Sequence, residues 1–140
     1  MFEEGQLLFF DPFFFKNGTH KPKFFIVLKD LEDNYILASL PTSQDHLPDK
    51  FSNVEGCVKE DNSRLSAFVF NKDVLITETF SFQKRTYIYG EQLDEYSKLH
   101  LDNFPSKIEV KGKIKTHLYE QLIECFKNSS VVKNKYKKIL

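Results

Sequence analysis

The chain's 140 residues suit one domain with one core, and a hydrophobic content of 41% is enough to fill it. Lys+Arg and Asp+Glu balance at 20 each, so no global field draws in nucleic acid, and any such binding must come from a local patch. The apolar runs Leu7–Phe10 and Phe24–Leu28 are far shorter than the roughly 20 residues that a membrane helix needs.

The acidic start Met1-Phe2-Glu3-Glu4 lacks the basic character of a secretory signal, so the expectation is a cytoplasmic protein. Cys57 and Cys125 do not make a disulfide framework in a domain of this size. Both are read as reduced thiols, structural or idle. Fifteen Phe and six Tyr with no Trp lean the fold toward β-structure, because these rings suit half-buried pleated surfaces.

Gln6–Phe10 reads as a first strand, broken at Asp11-Pro12 because proline cannot donate to a ladder. Phe13–Phe15 follows, and Asn17-Gly18 is a turn signal. Lys23–Lys29 reads as a second strand, whose apolar run Phe24–Leu28 suggests burial on both faces or at a barrel's core. Tyr35–Leu40 is a third strand, and 41–52 a polar loop of the kind that lies on the surface and carries function.

Val54–Val58, Ser66–Phe70 and Val74–Phe82 read as further strands, and Arg85–Gly90 alternates in the same way. Glu91–His100 is a helix candidate, and Ile108–Ile114 a last strand. Thr116–Lys127 is the clearest helix: Ile114, Leu118, Leu122 and Phe126 are spaced by four, and Thr116 is a candidate N-cap. The tail from Val131 to Leu140 carries four lysines and no acid, which fits either a solvated terminus or a minor nucleic-acid or partner contact. The expected organisation is one domain over 1–128 and a basic tail over 129–140.

Two stretches resemble the PemK/MazF toxins. One is Gly5-Gln6-Leu7-Leu8-Phe9, then Lys21-Pro22-Lys23 leading into Phe24–Leu28, then Ile36–Leu40 with its exit Pro41-Thr42-Ser43. The other is Ser66–Phe82, followed after an insertion by Gly112-Lys113-Ile114 and the terminal helix. The resemblance implies a mostly β fold with α additions (α+β), an SH3-like barrel with a C-terminal helix, and a homodimer. It also implies an endoribonuclease that cleaves single-stranded RNA with no metal or other cofactor and is silenced by an antitoxin protein. Lys21-Pro22 stands where the family usually has Arg-Pro, and the family's Arg-Thr-x-Asp pattern does not occur in Thr77–Phe82.

Metal-free RNA cleavage turns the substrate's own 2′-hydroxyl on the adjacent phosphorus, with a base, an acid and cations that stabilise the growing charge. The candidates for that chemistry are Lys21, Lys23, Thr42 and Arg85. Lys21 and Lys23 are phosphate cations or a solvated basic loop. Arg85 is a phosphate contact or a strand cation paired with a glutamate such as Glu78. Thr42, with Ser43, hydrogen-bonds phosphate or base, or closes a turn after Pro41. His20, Ser43 and His46 are the candidates for RNA binding, and either histidine is a proton shuttle or simply exposed. Phe13–Phe15, Tyr87 and Tyr89 could stack unpaired bases or pack in the core. No metal-ligand spacing, phosphate loop or serine elbow occurs. The second function class is a catalytically inactive SH3-like binding module that recognises a partner peptide or nucleic acid.

Overall fold

A computed structural model describes residues 1–40, 54–60 and 64–140. Among the described residues, eight strands, three short-to-medium α-helices and a 3-10 turn at Gly90–Gln92 make a mostly β fold with α additions, an α+β class. The strands are β1 (Gln6–Phe14), β2 (His20–Asp30), β3 (Asn34–Leu40), β4 (Gly56–Glu60), β5 (Leu65–Phe70), β6 (Thr86–Tyr89), β7 (Leu93–Ser97) and β8 (Lys107–Lys113). The helices are α1 (Lys98–Asp102), α2 (Thr116–Lys127) and α3 (Asn134–Lys137). One antiparallel sheet has the order β7-β3-β2-β1-β8, and a second has the order β4-β5-β6. Among the described residues neither sheet closes on itself, so the expected barrel is not what these ladders form.

The apolar run of β2 is explained by two cores. Ile26 and Leu28 face the main core with Ile88, Phe68, Leu122 and Phe126, and Phe24 packs at its border. Phe25 and Val27 face a second core with Leu8, Phe10, Tyr35, Leu37 and Leu101. A strand apolar on both parities is what burial on both faces requires. The β1–β2 ladder shifts register between Phe10 and Phe13, so Pro12 sits at an irregularity and the strand continues past it to Phe14.

Two elements differ from the sequence reading. Residues 74–82 form a tight loop rather than a strand, joined by one bridge between Leu75 and Ser81. The buried Thr77 hydroxyl accepts from the Phe80 amide at 2.8 Å and the Thr79 amide at 3.2 Å, and this local bonding replaces a ladder. Half of Glu91–His100 is strand: β7 pairs with β3, with Tyr35 opposite Tyr96, and it lies between a 3-10 turn at Gly90–Gln92 and α1. The open edge of β3 decides this, since strand preference depends on neighbours more than on the residue.

The last strand and α2 match their expected ranges closely, but the N-cap of α2 is Lys115, which makes no side-chain cap. The terminal segment is not a solvated tail. Val132 and Tyr136 are buried in the main core, and the Tyr136 hydroxyl donates to Asp94 at 3.1 Å. Gly90 makes room for this segment, since a Cβ there would lie 2.5 Å from Val131 Cγ2.

The two cysteines are bonded to each other. A Cys57–Cys125 disulfide ties β4 to α2, which corrects the reading of two separate reduced thiols. Nothing in a separation of 68 residues announces that pairing; it follows from α2 docking its Cys125 face against β4 and β5.

Candidate nucleic-acid interface

The β1–β2 hairpin brings together most of the describable candidates. Its turn closes through the Phe15 amide donating to the Thr19 carbonyl at 2.9 Å. Asn17 Oδ1 accepts from the Thr19 amide and hydroxyl, at 3.0 and 2.6 Å. Gly18 adopts φ +87°, which the Asn-Gly signal anticipates. The ladder sets Phe14 opposite His20 and Phe13 opposite Lys21.

Lys21 and Lys23 are two apart on β2, so they share one face. Both reach the same ring: Lys23 Nζ lies 5.0 Å from the Phe15 centroid and Lys21 Nζ 5.6 Å. Each distance is within cation–π range. Partial burial holds the Lys23 amine below the usual lysine value, and the Lys21 charge lowers it further. An amine so placed gains from an anion that offsets both effects, and it releases a proton more readily than an ordinary lysine.

Aromatic rings extend the surface. Phe13 stacks with Phe104 at a 20° interplanar angle and meets Phe15 edge-on. Phe14 lies 5.8 Å from the His20 ring and 6.1 Å from Phe104, and it is 45% exposed. Phe10, Phe25 and Tyr96 support Phe13 from behind. The sequence reading singled out Phe13–Phe15 but missed Phe104 and Tyr96, whose approach depends on β7 and the turn after α1.

Arg85 is held on the other sheet. Its Nη2 donates to the Val54 carbonyl at 2.7 Å, and its guanidinium stands 5.4 Å from the Tyr87 ring. It thus braces the approach to β4 against β6. Lys84 and Thr86 beside it line a groove of about 410 Å³ with Phe24, Leu40, Phe80 and Phe82. Thr42, Ser43 and His46 lie outside the described residues. Among the described residues, no three His, Cys, Asp or Glu side chains gather as metal ligands would, and no helix is long and apolar enough to cross a membrane.

Comparison with protein families, curated proteins and solved structures found no match.

Proposed function

We propose that the protein acts on single-stranded RNA as a toxin-like, metal-independent endoribonuclease of a cytoplasmic toxin–antitoxin pair, using the β1–β2 hairpin as its RNA-binding surface. The observation that carries this reading is the pairing of Lys21 and Lys23 over the Phe15 ring, in a hairpin that also exposes Phe14. Single strands are held by cations that track phosphates and by rings that stack bases, and a hairpin with both suits them. The resemblance to the PemK/MazF toxins supplies the reaction: the substrate's 2′-hydroxyl loses its proton to a base and attacks the adjacent phosphorus, the P–O5′ bond breaks as an acid protonates the leaving oxygen, and Lys21, Lys23 and Thr42 bind the phosphate oxygens. An antitoxin protein would silence it, and a homodimer is the expected assembly.

The second reading, a binding module without cleavage, is favoured by Arg85. Its engagement with Val54 and Tyr87 gives it a bracing role rather than a phosphate-binding one. Inducible expression with mapping of new RNA 5′ ends separates the two readings. The nuclease reading expects growth arrest and new ends that Lys21→Ala and Lys23→Ala abolish. RNA binding with no new ends would leave the binding module alone, and neither binding nor ends would reject both.

A further inference from the structure

The Cys57–Cys125 disulfide is unequally exposed. Cys57 is open to solvent on β4, whereas Cys125 is 3% exposed within the main core. The bond sits at a cleft of about 720 Å³ between β4 and α2. Glu55, Glu120 and Glu124 line this cleft against Lys59 and His117, so carboxylates outnumber the cations. Cys125 Sγ is 3.7 Å from the Ala67 carbonyl, an acceptor for the thiol when the bond is open.

We infer that Cys57 is a thiol-exchange site, with Cys125 as its buried resolving partner, and that it takes small neutral or cationic thiols. A thiolate attacks the more accessible sulfur of a disulfide, and of the two residues lining the cleft Cys57 is exposed whereas Cys125 is buried. The new bond joins Cys57 to the incoming sulfur. The S–S electron pair leaves with Cys125, which takes up a proton and faces Ala67. A second small thiol then attacks the adduct on its own sulfur, freeing the Cys57 thiol and leaving as the small-molecule disulfide. The reverse, with that disulfide as oxidant, recloses the bond.

Contacts other than the bond also hold α2. Leu122 and Phe126 lie in the main core. Ser129 donates to Ser66 at 2.7 Å, and Lys59 to the Asn128 carbonyl at 3.2 Å. The chain can therefore cycle between a tethered and an untethered folded form. The carboxylate-lined cleft slows an anionic thiol relative to a cationic one at low salt.

The test uses the oxidised full chain with limiting cysteamine or glutathione, quenched in acid and mapped by mass. The expected adduct is on Cys57 with both thiols. It forms several-fold faster with cysteamine once each rate is normalised to a small neutral disulfide, and salt erases that preference. An adduct on Cys125, or opening only at the rate of global unfolding, overturns the assignment. Glutathione reacting as fast as cysteamine overturns the charge preference. As a second measurement, the Cys125→Ser protein treated with glutathione disulfide should gain one adduct on Cys57, while Cys57→Ser should remain unmodified until denatured. The opposite pattern contradicts the proposal.

Discussion

Lys23 stands on the same ring as Lys21, its ammonium 5.0 Å from the centroid of Phe15, and its amine is held below the ordinary lysine value by burial first and by Lys21 second. If that ammonium binds phosphate, affinity for RNA falls as pH rises through the lowered value, before an ordinary lysine would discharge. Lys23→Arg keeps its charge over the same range and should flatten the profile. Anisotropy titrations of a labelled single-stranded RNA across alkaline pH would reveal this, and identical profiles for the two proteins would contradict it.

Phe14 is exposed enough that its truncation should spare the fold. Phe14→Ala is expected to weaken binding of single-stranded RNA by about 1–3 kcal/mol, the usual range for one stacked base. The urea midpoint should stay near that of the parent. A large loss of stability with unchanged RNA affinity would assign the ring to packing.

The disulfide closes a long loop, with 68 residues separating its cysteines. Chain-entropy arguments put its contribution at about 4 kcal/mol for a loop of that size. Urea unfolding with and without a reductant should differ by an amount of that order, and Cys57→Ser should match the reduced parent. Equal midpoints would show that the bond constrains the unfolded chain very little.

Tyr96, Tyr119 and Tyr136 each have their hydroxyl pushed up to about 12, mainly by burial, with Asp94 adding to the first and third and Glu4 to the second. In the unfolded chain they ionise near 10, so above that pH the unfolded state sheds protons that the folded state keeps. Stability therefore declines from about pH 10 toward about pH 12. Tyr136→Phe should make the decline shallower, since one of the three groups no longer titrates. Urea midpoints measured across this range would check the slope, and a flat profile would contradict the assignment.

Gly90 lies beneath the terminal segment, where a Cβ would meet Val131 Cγ2 at 2.5 Å and Ser129 Oγ at 3.2 Å. Gly90→Ala should destabilise by about 1–3 kcal/mol through overpacking. Val131→Ala in the same chain should restore part of the loss. Additive effects in thermal melts would show that the two positions do not touch.

The legible parts of the fold were those whose pattern is local. The four-residue spacing along α2 and the two-sided apolar run in β2 needed no partner to be read. The Asn17-Gly18 turn was equally plain, and it positions the candidate interface. Residues 74–82 misled because their alternation matches a strand, while the Thr77 hydroxyl bonds the Phe80 amide and closes a loop. Residues 93–97 misled because their strand exists only where β3 offers an edge. The terminal lysines hid Val132 and Tyr136, whose burial depends on the gap at Gly90. At the candidate site, Lys21, Lys23, His20 and Phe13–Phe15 were readable because one hairpin carries them all. Phe104 comes from a distant segment, and the Arg85 contacts with Val54 and Tyr87 depend on how the second sheet is assembled.

The most direct test of the central claim is the salt dependence of single-stranded RNA binding by the parent and by the Lys21→Ala/Lys23→Ala protein. Each phosphate contact on a single strand contributes about 0.7 to the slope of log affinity against log salt. The double substitution should therefore lower that slope by about 1.4 and weaken binding at low salt, with the fold unchanged by circular dichroism. An unchanged slope and affinity in a folded double variant would contradict an RNA interface on the β1–β2 hairpin.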